Sequence, residues 1–189
     1  MKHYAAAYRR TIELAKSELK PSDHVFDFGC GTGLVTNEIA GSVQSIFAVD
    51  LSEKMLDIAR QKAAQSAIQN VSFQTCEFDH FEAGAAPYDV VCAFNVLYFI
   101  RDLETLLARF HAMLKPGGLF LSVTDCVGHP RDFKTRVIFL LVKIGVFPYI
   151  RFMSTDDLVA SVEQAGFEIL HAENLFPNPP NYYLAARKK

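Results

Sequence analysis

The sequence is poor in cysteine, and the few cysteines it has are scattered. Its 189 residues include four, Cys30, Cys76, Cys92 and Cys126, and no two of them form a Cys-x-x-Cys pair. This spacing argues against a disulfide framework and against a zinc site, so no metal is expected. The first residues also lack the apolar core of a secretory signal. Together these absences predict a reduced protein in the cytoplasm.

The chain also lacks an excess of either charge. Lysine and arginine total 19 against 21 aspartate and glutamate residues, a formal net charge of −2. A balanced surface provides no general attraction to nucleic acid, so no nucleic-acid partner is expected. The apolar stretch at residues 137–153 is interrupted by Lys143, Gly145, Pro148 and Arg151. It is too short and too broken for a transmembrane helix, which needs about 20 apolar residues.

The overall composition is that of a globular protein with one domain. Half of the residues are apolar and 21% are charged, and the length suits one domain with a sizeable core. We therefore interpret residues 1–189 as a single domain. It opens with an N-terminal helix within residues 1–20, because apolar side chains recur at helical spacing over residues 4–19.

After this helix, strand and helix patterns alternate along the chain. Alternation predicts a parallel sheet with right-handed crossovers, and the continuous apolar run at residues 90–94 fits strands covered on both faces. Only a turn separates the last two strands, so these two should pair antiparallel. The predicted strands are residues 24–28, 45–49, 71–75, 89–94, 119–123, 167–174 and 181–187.

Open sheets of this kind bind ligands at the carboxyl ends of their strands. In this chain we expect the ligand edge at residues 29–33, 50–55, 76–79 and 94–99. The first of these segments is the most informative. Residues 27–33 are Asp-Phe-Gly-Cys-Gly-Thr-Gly, a strand that runs into three glycines at alternate positions. Glycines permit a tight turn and let a ligand lie against bare backbone.

The second segment contributes a carboxylate. Asp50 lies at the end of the next strand, where it can accept two hydrogen bonds from a ribose diol. It could instead serve only as a helix cap, but Ser52 is better placed for that role. The loop and Asp50 together therefore predict a nucleoside-containing cofactor.

Two cofactor classes use this arrangement. A dinucleotide site expects the spacing G-x-G-x-x-G, with the pyrophosphate on the helix N-terminus. This chain has G-x-G-x-G preceded by Asp27, and a carboxylate at that point suits a cationic amino group better than a diphosphate. S-adenosylmethionine, an adenosine joined to an amino acid, satisfies both observations. A nicotinamide-dependent oxidoreductase stays as the alternative.

With these motifs, residues 20–189 resemble the class I S-adenosylmethionine-dependent methyltransferases. The loop at 27–33 is similar to the first motif of that family, and residues 48–56 are similar to the second. The resemblance implies an α/β fold, Rossmann-like and doubly wound, with three αβα layers. Its seven-stranded sheet would be mostly parallel with an antiparallel last strand. The later regions that resemble the family are residues 71–78, 88–99 and 114–118.

The resemblance also implies the site and its chemistry. S-adenosylmethionine would be the cofactor and S-adenosylhomocysteine the product, after in-line transfer of the sulfonium methyl to a nucleophile. Asp50 would bind the ribose, with Leu51 and Met55 beside the adenine. Glu77 would meet the adenine amino group, and Phe78 would offer its backbone. The implied cofactor residues are Asp27, Gly29, Gly31, Gly33, Asp50, Leu51, Met55, Glu77, Phe78 and Asn95.

The acceptor of the methyl group is not readable from the sequence. Residues 126–153 form an insertion over the expected acceptor site. Three interpretations of its 131–153 part compete: a lid over a small lipophilic or aromatic acceptor, a packed structural helix, or a helix that binds a membrane surface or a partner. Tyr4, Tyr8 and Tyr98 are candidates to line the pocket, although the first two could simply pack a helix.

No catalytic residue is assigned from the sequence. His129, after the fifth strand, is the best candidate for a base, and His111 is expected on the surface of a helix. Residues 178–181, Asn-Pro-Pro-Asn, are interpreted as a turn. The leading hypothesis is a small-molecule methyltransferase. Besides the oxidoreductase, the alternative is a non-catalytic partner subunit that binds S-adenosylmethionine, and the oligomeric state is not predicted.

Overall fold

A computed structural model of the protein describes residues 2–77, 87–128, 137, 140, 149–177 and 179–189. The helices are α1 (Lys2–Glu18), α2 (Leu34–Ile39), α3 (Glu53–Gln65), α4 (Leu103–Met113) and α5 (Thr155–Gln164). The strands are β1 (His24–Phe28), β2 (Ser45–Asp50), β3 (Val71–Thr75), β4 (Tyr88–Phe94), β5 (Leu114–Asp125), β6 (Phe167–Pro177) and β7 (Pro180–Lys188). Within these ranges, no helix reaches the length and apolarity that a bilayer crossing requires.

The strands form one seven-stranded sheet in the order β3-β2-β1-β4-β5-β7-β6. Strand β7 runs antiparallel to both of its neighbours, β5 and β6, and the remaining pairs are parallel. The predicted sheet with an antiparallel last strand is therefore confirmed. The direction of winding reverses between β1 and β4, so the carboxyl ends of these two strands flank a crevice where such sheets bind ligands.

Helices cover both faces of the sheet, which explains why the central strands are apolar along their length. In β4 every residue except Asp89 is buried. Helices α4 and α5 pack on one face through side chains such as Phe110 and Leu158, and α1 and α2 pack on the other through Ala15 and Ile39. Burial of each such Phe or Leu side chain contributes roughly 1.5–3 kcal/mol. The result is the expected three-layer αβα arrangement.

Three of the described helices begin at side-chain caps: Ser52 for α3, Asp102 for α4 and Ser154 for α5. The Ser52 hydroxyl accepts from the Met55 backbone N–H at 3.4 Å and starts α3, as expected. Ser154 and Asp157 form a reciprocal capping box at the start of α5. Each cap contributes about 1 kcal/mol.

Two local predictions are wrong. The fifth strand was predicted over residues 119–123, whereas β5 starts at Leu114 directly after α4. A register shift near the start of β4 accommodates the early pairing. His111 is partly buried rather than on the surface, because its ring packs edge-on against Phe167 with ring centroids 5.2 Å apart. This burial lowers the pKa of the imidazole.

Candidate active site

The glycine-rich loop turns the chain from β1 into α2. Gly29, Gly31 and Gly33 have φ angles of 73°, 56° and 68°, a left-handed conformation that costs other residues roughly 1–2 kcal/mol. The backbone N–H groups of Gly29 and Cys30 both donate to the carbonyl of Val49, at 2.8 and 3.0 Å. The loop is thereby held against the end of β2, which brings two of the predicted ligand segments together.

The three glycines differ in what a side chain would meet. A Cβ on Gly29 would lie 2.5 Å from Cγ2 of Val96, and one on Gly33 would lie 2.9 Å from Cβ of Ala59. A Cβ on Gly31 would meet nothing within 4 Å. Gly29 and Gly33 are therefore required by packing, whereas Gly31 leaves open space at the crevice for a ligand.

Asp50 lies at the rim of this crevice and is oriented by two backbone donors. Its Oδ2 accepts from the Gly31 N–H at 2.8 Å, and its Oδ1 accepts from the Ser52 N–H at 2.9 Å. A carboxylate has about four lone-pair sites, so each oxygen keeps one for a further donor. The arrangement leaves two acceptors for the two hydroxyls of a ribose.

Apolar side chains border the next part of the crevice. Leu51 and Met55 are 51% and 44% exposed, which is high for large apolar residues. Glu77 is also exposed, and the preceding Cys76 N–H donates to the Asp50 carbonyl at 3.0 Å, which ties the end of β3 to the same edge. Exposed apolar groups beside an acceptor are suited to a purine. Phe78 lies outside the described residues.

Asp27 is a buried carboxylate beneath the loop. It is 2% exposed, and its hydrogen-bond donor among the described residues is Thr36 Oγ1, at 2.6 Å. Burial raises the pKa of Asp27 from 3.8 to about 6, and the charge of Asp50 adds to the rise, while the Thr36 hydrogen bond opposes it. No lysine or arginine of the described chain neutralises this carboxylate, so it suits a cationic group of a ligand.

Asn95 stands where β4 ends, across the crevice from the loop. Its φ angle is 56°, a conformation that asparagine tolerates better than most residues and that often marks functional sites. Its Oδ1 accepts from Asn181 Nδ2 at 3.0 Å, and the same Nδ2 donates to Asp125 Oδ1 at 2.7 Å. The ends of β4 and β5 and the start of β7 are thus joined by side chains.

A cavity of about 260 Å³ opens beside this trio. Tyr8 and Tyr98, two of the tyrosines expected at an acceptor pocket, line it, whereas the side chain of Tyr4 is outside the described part. The Tyr8 hydroxyl oxygen is buried and has no hydrogen-bond partner among the described residues. Tyr98 and the half-exposed Phe99 have ring centroids 4.3 Å apart at the same edge. The cavity is lined by Ala7, Tyr8, Thr11, Asn95, Tyr98, Asp125 and Asn181.

Both ends of the insertion at residues 126–153 are attached near this cavity. The Gly128 N–H donates to the Met153 carbonyl at 2.9 Å, so the insertion leaves and rejoins the fold at one place. The Arg151 N–H donates to the Tyr98 carbonyl at 2.7 Å, and its guanidinium binds Glu104 at 2.8 and 3.1 Å. Most of the segment between these ends, including His129, lies outside the described residues.

Comparison with known proteins decides the family. Residues 1–172 match the model of a family described as a methyltransferase domain. The chain belongs to this family. The methyltransferase uses S-adenosylmethionine as its methyl donor, and the nicotinamide-dependent oxidoreductase is thereby set aside.

Relatives and solved structures agree with this assignment. The chain is 27% identical over 165 residues to the ubiquinone biosynthesis O-methyltransferase of Coxiella burnetii, covering 82% of this chain and 68% of the relative. The Bordetella avium protein of the same name is 28% identical, with 87% and 75% covered. In fold, the chain resembles an S-adenosylmethionine-dependent methyltransferase of Mesorhizobium loti with a TM-score of 0.78 at 19% identity, covering 98% of this chain and 100% of that one.

The crevice of this methyltransferase fits S-adenosylmethionine. The open Cβ position at Gly31 leaves room for the nucleoside. The buried Asp27 carboxylate is suited to the cationic amino group of the methionine part. Among the expected cofactor residues, the structure places Asp27, the glycines, Asp50, Leu51 and Met55 at one crevice. Glu77 lies at its β3 end and Asn95 at its β4 side. The individual cofactor contacts of these residues stay predictions.

Sequence reasoning missed Asp125 and Asn181. The predicted ligand edge covers the ends of four strands but not the end of β5, whose last residue is Asp125. Asn181 was interpreted as part of a turn. It lies opposite Asp125 in the antiparallel pairing of β5 and β7, a register that the local sequence does not reveal.

Proposed function

We propose that this methyltransferase transfers a methyl group to a hydroxyl oxygen of a small aromatic or lipophilic acceptor. The observation that carries the proposal is the cavity of about 260 Å³ beside the cofactor crevice. It combines two tyrosine rings with the polar groups of Asn95, Asp125 and Asn181. Its volume is below the about 300–1,000 Å³ of pockets for drug-sized ligands, so it suits a single ring. The names of the O-methyltransferase relatives support oxygen as the acceptor atom.

We assign the cofactor contacts as the resemblance implies them. Asp50 binds the ribose hydroxyls, and Leu51 and Met55 border the adenine. Glu77 and the backbone of Phe78 bind the edge of the adenine ring. What supports this part is the order of these groups along one crevice, with the Gly31 backbone exposed at its centre.

The methionine end of the cofactor is assigned to the opposite side of the loop. Asp27 pairs with the amino group, since no other cation of the described chain neutralises that carboxylate. Asn95, at the end of β4, lines the cavity. In this assignment the reactive end of the cofactor lies next to the proposed acceptor.

The chain contributes mainly by holding two reactants in line. Bound S-adenosylmethionine supplies a methyl group activated on a sulfonium sulfur. Asp27 and Asp50 hold the two ends of the cofactor, and Tyr8 and Tyr98 confine the acceptor ring. Alignment of this kind is worth about 7–11 kcal/mol of a barrier. A base is required in addition when the acceptor must lose a proton.

The insertion is assigned as a cover for the acceptor. Its two ends meet through Gly128 and Met153, and Arg151 attaches the returning end to Tyr98 beside the cavity. This attachment supports the lid more than a free membrane-binding helix. We retain a single domain over residues 1–189, with a cytoplasmic location as its expected place.

A transfer assay tests the function. Purified protein is incubated with S-adenosylmethionine carrying a radiolabelled methyl group and with phenol, catechol, aniline and thiophenol as matched single-ring acceptors. We expect label in the ring product of phenol or catechol and little in that of aniline. Transfer only to the amine or thiol would contradict the oxygen assignment. Binding of S-adenosylhomocysteine without transfer to a broad panel would favour the non-catalytic partner subunit.

A further inference from the structure

The hydrogen bonds around Asn181 determine which atoms of the cavity remain available. Its Nδ2 carries two hydrogens, and these are directed to Asn95 Oδ1 and Asp125 Oδ1. Asn181 is 5% exposed, so this amide is fixed by its surroundings. The second carboxylate oxygen of Asp125 has no hydrogen-bond partner among the described residues. Because Asp125 lines the cavity, we take this oxygen as the acceptor available to a ligand there.

Tyr8 of α1 also lines this cavity, but its hydroxyl oxygen is buried. Burial and the charges of Asp27 and Glu38 raise the pKa of this hydroxyl. Tyr8 therefore stays protonated at neutral pH and cannot act as a base.

A hydroxyl group of an acceptor in the cavity would donate its hydrogen bond to this carboxylate oxygen of Asp125. The contact fits the acceptor chemistry of the proposed function, and it does not depend on the comparisons with relatives.

We propose that Asp125 is the general base of the reaction. The inference rests on the proposed function and names a catalytic residue for it. Asn181 and Asn95 act as positioning residues, because they orient the carboxylate without contact to the reacting atoms.

The step balances in protons and electrons. The acceptor O–H proton passes to the free oxygen of Asp125 as the acceptor oxygen forms a bond to the methyl carbon. The carbon–sulfur bond breaks, and its electron pair returns to the sulfonium sulfur, which becomes a neutral thioether. Asp125 then releases its proton to water, so no oxidant or reductant is required.

The test compares two acceptors of different acidity in the same assay. At about pH 8 catechol is mostly protonated, whereas 4-nitrocatechol is already ionised and needs no base. We expect Asp125→Asn to lower kcat for catechol by about 10²–10⁴-fold, the usual contribution of a general base, and to leave kcat for 4-nitrocatechol close to wild type. Glu163→Gln, an exposed carboxylate on α5, is the matched control and should change neither value.

Two further measurements separate the possible outcomes. Asp125→Asn should leave the Kd of S-adenosylhomocysteine unchanged; a weaker Kd would assign the cavity to the cofactor and overturn the inference. Equal losses with both acceptors would reduce Asp125 to a structural role. If wild type transfers no methyl to any hydroxyl, the proposed function itself has failed.

Discussion

The backbone N–H of Gly31 donates to Oδ2 of Asp50 over 2.8 Å. Of the three loop glycines, Gly31 is the one whose Cβ position is open, and Asp50 is the carboxylate assigned to the ribose. A single hydrogen bond therefore joins the floor of the cofactor crevice to its acidic rim. Because the carboxylate is already oriented, less conformational freedom is lost when the ligand binds.

Removal of the Asp50 carboxylate should weaken cofactor binding. Asp50→Ala is expected to raise the Kd of S-adenosylhomocysteine by about tenfold to a hundredfold, which corresponds to about 1.4–2.8 kcal/mol. Isothermal titration calorimetry measures the change. Asp57→Asn is the control, because Asp57 is an exposed carboxylate on α3 whose salt bridge with Arg60 lies at the surface. An unchanged Kd for Asp50→Ala would show that the ribose contact is assigned to the wrong residue.

Alanine substitutions should separate the roles of the three glycines. Gly29→Ala and Gly33→Ala are expected to lower the free energy of unfolding by several kcal/mol, because each new methyl clashes with packed neighbours in addition to backbone strain. Gly31→Ala should cost only the strain, roughly 1–2 kcal/mol, but should abolish tight cofactor binding. Chemical denaturation and calorimetry on the three variants distinguish these effects. Equal losses of stability in all three would contradict an open crevice at Gly31.

Cofactor affinity should depend on the ionisation of Asp27. Because its pKa is raised to about 6, the folded protein holds this proton more tightly than the unfolded chain, and the free energy of unfolding should fall as pH rises toward and through 6. The ionised carboxylate pairs with the ligand amino group, so the affinity for S-adenosylhomocysteine should rise over the same range. At about pH 5 we expect it to be about tenfold weaker than at about pH 7.5.

Two variants check the origin of this pH dependence by calorimetry. Asp27→Asn should bind weakly at every pH, with the pH dependence removed. Thr36→Val removes the hydrogen bond that lowers the pKa of Asp27, so its midpoint should move to higher pH. A midpoint that stays in place in both variants would assign the titration to another group.

Arg151 should affect the acceptor more than the cofactor. Its guanidinium holds the returning end of the insertion to Glu104 and to the carbonyl of Arg101. With Arg151→Ala, we expect the KM for a single-ring acceptor to rise several-fold. The Kd of S-adenosylhomocysteine should stay the same, and stability should change by less than about 1 kcal/mol, as for most surface ion pairs. A change in cofactor affinity alone would argue against a lid.

Local sequence sufficed for the parts of the protein that depend on neighbouring residues. Apolar periodicity and the residues that break it located β1 and β3 at their observed bounds, and the capping residue Ser52 was identified correctly. The start of β5 was predicted too late because Leu114 pairs with Tyr88 ahead of the Pro-Gly-Gly segment. Residues 115–118 lie in the register shift that follows, so a single long-range pair, absent from the local pattern, extends the strand.

The sequence by itself determined the order of strands and helices, the glycine loop with its acidic partner, and through them the methyltransferase family. These follow from short-range patterns, since backbone conformation at each glycine and burial along each strand depend on a few adjacent residues. Only the tertiary structure decided which of the three loop glycines has an open Cβ position, that Asp27 is buried with no lysine or arginine partner in the described part of the chain, and that Asp125 meets Asn181 across β5 and β7. Those facts depend on the packing of segments far apart in the chain, and therefore on the register and burial that folding alone establishes.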